Sequence, residues 1–259
     1  STHCISSAAS DVYKRQYEQS SDQEVAFQAV DYILRVLKKN MVFGMTWGRA
    51  MHEFVEQLAK DERLRSLSFQ NVKVVPFLGT PGAIQSDSWN TTTYSNTLAT
   101  KVGNLLHCAS YNLSAPMYVE GTKEKELIES IDEIAKVLHM AETADIALIG
   151  IGSMQDDSSI IKAEIRTKEE YKELVRKGAV GEIVGRIYDK NGQTVDEYLK
   201  RKMVGISLDK IAKIPVRVGM SYGKDKIEAI KGAIAGGLVN VLVTDVPTAC
   251  LLYTSDAAD

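Results

Sequence analysis

The amino-acid sequence predicts an α/β protein with a mainly parallel sheet and flanking helices. Short apolar stretches alternate along the chain with longer segments in which apolar residues recur every three to four positions. This alternation is typical of parallel strands joined by right-handed crossover helices. Two stretches, residues 72–78 and 145–151, are almost continuously apolar, as expected for strands buried on both faces of a sheet.

The elements are predicted in order from these patterns. In the first helix Val25, Ala29, Ile33 and Val36 recur at helical spacing, and Asp22 can cap its start. The predicted helices span residues 22–39, 52–58, 94–107, 124–140, 168–177 and 225–235. The predicted strands of the sheet span residues 41–43, 72–78, 110–115, 145–151, 216–220 and 238–244.

A hairpin is predicted within residues 182–195. Its signal is Asn191-Gly192, a dipeptide preferred in two-residue hairpin turns because both positions need positive φ. We therefore expect two antiparallel strands, one on each side of this dipeptide and both attached to the main sheet.

Both ends of the chain differ in character from the rest. Residues 1–16 have no sustained period, and residues 250–259 follow a well-formed strand without continuing any pattern. We predict that both segments are non-native or disordered tails, that the natural chain is truncated at each end, and that residues 17–249 form the folded domain.

Composition excludes several classes of function. A formal net charge of -3 gives no basic footprint for nucleic acid. No apolar run is long enough to cross a bilayer and no signal-peptide order is present, so we expect a cytoplasmic protein. Three widely spaced cysteines and four histidines without metal-ligand spacing predict neither a disulfide framework nor a metal site. We expect no cofactor.

Four glycine-containing turns follow predicted strands, at residues 44–48, 79–82, 150–153 and 219–223. In a parallel sheet, ligands bind outside the carboxyl ends of the strands. One glycine turn alone is weak evidence. Four turns at that edge predict a shared crevice for a small molecule.

The first of these turns carries the clearest anion-binding signal. Gly44 and Gly48 permit a sharp turn and close approach, Thr46 supplies a hydroxyl, and Arg49 supplies a fixed positive charge. The helix that follows presents unpaired N–H groups, which suit a phosphate or carboxylate. The segment matches neither standard phosphate-loop motif, so an ordinary strand-to-helix turn remains the alternative interpretation.

Two charged residues stand out beside these turns. Lys226 lies in the first turn of a predicted helix, where a cation opposes the helix dipole, and Glu182 lies where the chain enters the hairpin. A phosphate on the ammonium and sugar hydroxyls on the carboxylate would explain both, although two ordinary surface residues remain the alternative. Trp47 either stacks on a sugar ring or covers the core.

The sequence resembles the effector-binding domain of SorC/DeoR-type bacterial transcriptional regulators, which respond to sugars and sugar phosphates. The resemblance runs from about residue 24 to residue 245. It depends on the order and spacing of six motifs: Gly-Met-Thr-Trp-Gly-Arg (44–49), Leu-Ser-Ala-Pro (113–116), Ala-Asp-Ile-Ala-Leu-Ile-Gly-Ile-Gly-Ser (144–153), Gly-Ala-Val-Gly-Glu-Ile-Val-Gly-Arg (178–186), Val-Gly-Ile-Ser-Leu (204–208) and Gly-Gly-Leu-Val-Asn-Val-Leu-Val-Thr-Asp (236–245).

The resemblance implies a Rossmann-like fold similar to the glucosamine-phosphate deaminase, ribose-phosphate isomerase and CoA-transferase superfamily. It also implies binding of a phosphorylated sugar, assembly as a homodimer or homotetramer, and contact with DNA only through an N-terminal helix-turn-helix. Together with the turn analysis it gives a phosphate-binding set of Gly44, Met45, Thr46, Trp47, Gly48, Arg49 and Lys226. The corresponding sugar-binding set is Glu182, Leu78, Gly79, Tyr94, Ala163, Glu164 and Gly223.

Departures from the family pattern narrow the expected ligand. Leu78 stands where some relatives place a basic residue, and Ala163-Glu164 replaces an expected basic pair. We therefore expect a monophosphorylated sugar or sugar alcohol and no Schiff-base chemistry. Too few residues precede Asp22 to form a helix-turn-helix, so we expect this segment to sense the effector without binding DNA specifically.

Three hypotheses of function follow. The first is a non-enzymatic sensor domain of a transcriptional regulator. The second is a sugar-phosphate isomerase or deaminase of the related fold, for which Glu182 is the candidate base without an evident acid partner. The third is an oligomerisation module that binds no small molecule.

Overall fold

A computed structural model describes residues 3–6, 21–81, 91–156 and 158–255 of the chain. The strands in these residues are β1 His3–Ser6, β2 Val42–Met45, β3 Lys73–Pro76, β4 Ala109–Ser110, β5 Ile146–Gly150, β6 Gly152–Ser153, β7 Ala179–Ile183, β8 Arg186–Asp189, β9 Val216–Met220 and β10 Val241–Thr244.

Helices connect most of the strands. They are α1 Ser21–Val36, α2 Arg49–Leu58, α3 Ser95–Leu105, α4 Thr122–Glu129, α5 Asp132–Glu142, α6 Ser159–Lys162, α7 Lys168–Arg176, α8 Glu197–Lys200, α9 Leu208–Ile211, α10 Ile227–Ala235 and α11 Val246–Ser255. Short 3₁₀ turns cover Glu62–Arg65, Thr91–Thr93 and Lys224–Lys226.

The main sheet is parallel, which confirms the predicted fold class. In the described residues it has seven strands in the order β1-β10-β9-β5-β2-β3-β4, and every pairing is parallel. Along β5, Ile146 and Leu148 face one apolar cluster while Ala147 and Ile149 face another. The central strand is therefore buried on both faces, as its continuous apolar sequence predicts.

Each face of the sheet has its own layer of helices. Helices α1, α2 and α3 cover the face that holds Ile146 and Leu148. Helices α5 and α10 cover the other face, together with residues of β7 and β8. A third cluster, defined by Trp47, Leu78, Met117, Ile160 and Ala163 among others, includes residues that follow β2 and β3. It therefore lies at the carboxyl end of the sheet.

The hairpin differs from the prediction. Strands β6, β7 and β8 form a separate antiparallel sheet, rather than joining the main one. Ile183 pairs directly with Arg186, so the two-residue turn between the strands is Val184-Gly185. The φ angles of these two residues are 48° and 70°. Asn191-Gly192 does make a turn, but Tyr188 and Thr194 form only an isolated antiparallel bridge across it.

The helix predicted over residues 124–140 is two helices, α4 and α5. Ser130 ends α4, and its hydroxyl donates to the carbonyl of Leu127 at 2.7 Å. Ile131 is extended, with φ −62° and ψ 123°. A serine hydroxyl that bonds the local backbone competes with helix continuation, whereas the apolar period runs on across the break. The strand predicted over residues 110–115 is also shorter, since β4 is Ala109–Ser110.

The predicted tails contain regular structure. Strand β1 lies within residues 1–16 and pairs with β10 in register from His3 with Val241 to Ser6 with Thr244. Helix α11 continues through residue 250 to Ser255. The domain bounds of 17 and 249 and the non-native or disordered character of the ends stay predictions.

Candidate functional site at the carboxyl edge of the sheet

The four glycine-containing turns meet at one edge of the main sheet. They follow β2, β3, β5 and β9, which are consecutive neighbours in the order β9-β5-β2-β3. Because these strands are parallel, their carboxyl ends share one edge. The predicted convergence of the turns is confirmed, although Gly82 of the second turn lies outside the described residues. We call this region the carboxyl edge.

The two glycines of the first turn serve different purposes. Gly44 lies inside β2, where a Cβ atom would overlap the ring of Phe77, so its role there is close packing. Gly48 adopts a φ of 103° and caps α2 without a side-chain hydrogen bond to the helix. Its N–H donates to the carbonyl of Thr93 at 3.0 Å. A backbone of positive φ at the helix entrance is the feature that favours glycine here.

Thr46 connects the first turn to the third. Its side chain is buried, and its hydroxyl oxygen accepts a hydrogen bond of 2.9 Å from the N–H of Gly150. Its own N–H donates to the carbonyl of Leu148 at 3.1 Å. The hydroxyl therefore has a structural bond already, while its proton can still be donated to a ligand.

Several side chains of the predicted sets are buried away from any open surface. Met45 lies in the core beneath α2, and Trp47, Leu78 and Ala163 pack together in the third cluster. Trp47 therefore covers the core in this structure, which is one of the two interpretations given above. Ligand contacts at these four positions stay predictions.

The remaining predicted positions are more accessible. Arg49 is exposed on the first turn of α2, and Tyr94 is half-buried at the N-cap of α3, next to the carbonyl that Gly48 contacts. Glu164 is exposed and has a φ of 56°. Gly79 is closely packed, since a Cβ atom would lie 2.6 Å from the carbonyl oxygen of Ala115.

Glu182 is a buried carboxyl group at the carboxyl edge. It pairs with Gly152 across β7 and β6, and a Cβ atom at Gly152 would lie 2.8 Å from its Oε2. The N–H of Gly185 donates to its Oε1. Burial raises the pKa of Glu182 to about 7, against the lowering effects of the Gly185 N–H and of Lys226. The group can therefore be neutral or ionised near neutral pH.

Lys226 lies at the N-cap of α10 and reaches the third turn. Its Nζ donates to the hydroxyl of Ser153 at 2.9 Å and lies 3.8 Å from Oδ2 of Asp225. The Ser153 hydroxyl donates to the same Oδ2 at 3.3 Å. The structure thus brings Lys226 and Glu182 to the same turn, as the sequence analysis expects.

Ser153 and Asp225 contact Lys226 at the candidate site, and the sequence analysis did not identify them. In the sequence, Ser153 is visible only as the last residue of a glycine-containing turn. Asp225 had no signal beyond its position next to Lys226. Their relation depends on a contact between residues 72 positions apart, which no local pattern reveals.

The fourth turn is fastened to its surroundings. Gly223 has a φ of 107°, and its N–H donates to the hydroxyl of Thr248 at 2.8 Å. The hydroxyl of Ser221 donates to the carbonyl of Ile151 at 3.3 Å. The turns after β5 and β9 are therefore held together by side-chain to backbone bonds, which gives the edge a fixed shape.

Arg186 shows how the hairpin that carries Glu182 is anchored. Its guanidinium is buried, and its Nη2 donates to the carbonyls of Met203 at 3.2 Å and Gly205 at 3.1 Å. Gly205 in turn bridges to Leu78. Burial lowers the pKa of Arg186 to about 10. The arginine therefore joins the hairpin to the segment that follows β3.

The chemical groups at the carboxyl edge are suited to binding a ligand that carries an anionic group and hydroxyl groups. An ammonium group, a helix N-terminus without a capping side chain and a titratable carboxyl group surround the turns. Among the described residues no group of histidine, cysteine or acidic side chains could hold a metal ion. Within the same residues no helix is long and apolar enough to cross a membrane.

Comparisons with known proteins show the family to which the domain belongs. The family model of a sugar-binding domain matches residues 10–253. The transcriptional regulator LsrR of Escherichia coli O9:H4 (strain HS) is 30% identical over 231 residues, which cover 88% of this chain and 67% of that protein.

Solved structures give the same result. The full-length sorbitol operon regulator SorC from Klebsiella pneumoniae has a TM-score of 0.79 at 26% identity, covering 90% of this chain and 74% of that one. A transcriptional regulator from Streptococcus pneumoniae TIGR4 has a TM-score of 0.80 at 24% identity, covering 94% and 90%; this second similarity shows the fold alone.

Proposed function

Because the chain belongs to the sugar-binding domain family of bacterial transcriptional regulators, we propose that its effector is a phosphorylated sugar or sugar alcohol bound at the carboxyl edge. The observation that carries this proposal is the placement of Lys226 and Glu182 on the same turn, at Ser153 and Gly152 respectively. An ammonium suits a phosphate, and a carboxyl group suits sugar hydroxyls. The similarity to a sorbitol operon regulator supports including sugar alcohols.

The phosphate is proposed to lie between Lys226 and the start of α2. The first-turn backbone of α2 and the partial positive charge of its N-terminus favour an anion. The proposed donors are the N–H groups in the first turn of α2, the Thr46 hydroxyl proton and the exposed Arg49 guanidinium. These are the donor types that phosphate oxygens accept from.

The sugar is proposed to lie against Glu182 and the neighbouring turns. An ionised Glu182 accepts hydrogen bonds from hydroxyl groups, and Tyr94 and Glu164 are exposed enough to add polar contacts. Leu78, Gly79, Ala163 and Gly223 contribute backbone or packing contacts. Neither Leu78 nor Ala163-Glu164 supplies a cation for a second phosphate, which is why we propose a single phosphate and no Schiff base.

Regulation is proposed to follow from a shift between two states of the domain. A ligand changes such an equilibrium only if it binds one state more tightly than the other. We propose that the domain acts as a homodimer or homotetramer in the cytoplasm, and that a helix-turn-helix elsewhere in the regulator contacts DNA.

An isomerase or deaminase is the competing proposal. It is favoured by one observation, the pKa of Glu182 of about 7, which suits a general base near neutral pH. The relatives reported above are transcriptional regulators, and this supports a non-enzymatic role. We therefore propose that the domain binds its sugar phosphate without turning it over.

A thermal-shift screen against phosphorylated and free sugars tests the proposal. A ligand that binds only the folded state raises the melting temperature, and the shift grows with the ratio of ligand concentration to Kd. We expect a shift with one or a few sugar monophosphates and no turnover of those compounds. Turnover would favour the enzyme, and no shift in a folded sample would favour the oligomerisation module.

A further inference from the structure

The ammonium group of Lys226 forms a triangle of polar contacts with Ser153 and Asp225 at the carboxyl edge. Lys226 Nζ contacts Ser153 Oγ at 2.9 Å and Asp225 Oδ2 at 3.8 Å, and Ser153 Oγ contacts the same Oδ2 at 3.3 Å. Ser153 is buried, whereas the Asp225 side chain is 52% exposed. The cation proposed to bind phosphate therefore already has an anionic partner from its own chain.

The Asp225 carboxylate also occupies space beside the fourth turn. A Cβ atom on Gly223 would lie 2.8 Å from its Oδ1. One carboxylate oxygen therefore faces the turn after β9 while the other faces Lys226 and Ser153. A phosphate on Lys226 would meet this carboxylate, and two anions at such distances repel each other.

We propose that Asp225 is a specificity-determining residue that acts as an internal anion on Lys226, which the phosphate of the effector has to displace. This inference rests on the function proposed above. The ion pair is partly exposed, so solvent weakens it and rotation of the aspartate can release the ammonium. Phosphate carries more charge than a carboxylate and accepts bonds through three oxygens.

The selectivity of the site follows from this competition. A sugar phosphate replaces Asp225 with a stronger partner for Lys226. A sugar carboxylate is a partner no stronger than the Asp225 carboxylate that already contacts Lys226. A free sugar has no charge to attract the ammonium. Asp225 therefore selects phosphorylated effectors over sugar acids and neutral sugars.

Asp225→Asn tests the proposal, with Glu228→Gln as a matched control. Both variants remove one negative charge near the start of α10, but Glu228 makes no described hydrogen bond or ion pair with Lys226 or Ser153. Calorimetric titrations would use inorganic phosphate, glucose 6-phosphate, fructose 6-phosphate, sorbitol 6-phosphate and gluconate. Circular dichroism would verify that each protein is folded.

We expect Asp225→Asn to bind the phosphorylated probes five- to tenfold more tightly than the parent and to gain measurable affinity for gluconate. Glu228→Gln should stay within twofold of the parent. Equal affinities for the parent and both variants would overturn the role of Asp225 and leave the proposed function standing. If folded parent and Asp225→Asn both fail to bind every phosphorylated probe, the proposed function fails together with this inference.

Discussion

The two edges of the main sheet are built from different chemistry. At the carboxyl edge, side chains join separate segments: Thr46 accepts a hydrogen bond from the N–H of Gly150, Lys226 donates to Ser153, and Thr248 accepts from the N–H of Gly223. At the opposite edge, which we call the amino edge, Asn40 and Asn71 adopt positive φ of 66° and 57° just before β2 and β3, and their side chains bond at 3.1 Å.

The amino edge also has open grooves. One of about 660 Å³ is lined by Lys73, Tyr111 and His139 among others, and one of about 620 Å³ by Asn40, Asn71 and His107 among others. Asparagine tolerates left-handed backbone, so the amino-edge residues are explained by the geometry of their turns. Glu182 and Lys226 at the carboxyl edge have no such explanation from turn geometry, and this difference supports our proposal that the ligand binds there.

Glu182→Gln should give the largest effect, and it depends on pH. The pKa of Glu182 in the folded state, about 7, lies above its ordinary value of 4.5, so its contribution to stability is fully present below pH 4.5 and is lost as the pH rises through 7. Glutamine keeps an acceptor for Gly185 without ionising. The variant should therefore gain on the order of 3 kcal/mol over the parent as the pH rises from about 4.5 to above 7.

Melting curves of the two proteins at pH 5, 6, 7 and 8 measure this difference. Other groups that ionise over this pH range are present in both proteins, so their effects on the melting temperature cancel in the difference. A melting-temperature difference that stays constant from pH 5 to pH 8 would show that Glu182 is not the buried titrating group.

Lys226→Ala should weaken binding of a sugar phosphate by one to two orders of magnitude. A hydrogen bond to a charged group contributes about 1.5–3 kcal/mol, and each 1.4 kcal/mol is about tenfold in affinity. Lys73→Ala, which removes the same charge at the amino edge, should change affinity less than about twofold. Calorimetry on both variants makes the comparison; equal losses would mean that only net charge matters.

Thr46→Val should lower stability as well as affinity, because the N–H of Gly150 loses its acceptor. A buried donor without a partner costs about 1–3 kcal/mol, which urea unfolding detects. Thr46→Ser keeps the hydroxyl and should recover most of the stability. If Thr46→Val is as stable as the parent, the hydrogen bond between Thr46 and Gly150 contributes nothing to the stability of the fold.

Asn71→Ala should give the smallest effect and affect stability alone. Alanine in a left-handed conformation costs roughly 1–2 kcal/mol, whereas Asn71→Gly should be nearly neutral. Affinity for the sugar phosphate should not change in either variant. A loss of binding from these amino-edge changes would contradict the assignment of the ligand site.

The sequence analysis succeeded where the signal is local. The apolar run of residues 145–151 predicted a central buried strand, and β5 is that strand. It failed where one side chain overrides a continuing pattern, as at Ser130, whose hydroxyl bonds the backbone between α4 and α5. It failed at the hairpin because Val184, a β-branched residue, adopts a φ of 48°, which is uncommon for its type.

The candidate site was predicted in part for the same reason. Lys226 was identified because its charge opposes a helix dipole, and Glu182 because it lies where the chain enters the predicted hairpin. Ser153 and Asp225 were missed because their roles exist only once β5 and α10 are brought together. The double role of Thr46 was also hidden, since its partner Gly150 lies 104 residues away.

Hydrogen exchange of the backbone amides, with and without the sugar monophosphate that gives the largest thermal shift, tests the assignment of the carboxyl edge most directly. Bound ligand slows exchange where it orders the backbone or covers it. The account predicts protection in residues 44–49, 150–153, 182–185 and 221–226. Protection confined to the amino-edge turns around Asn40 and Asn71 would contradict it.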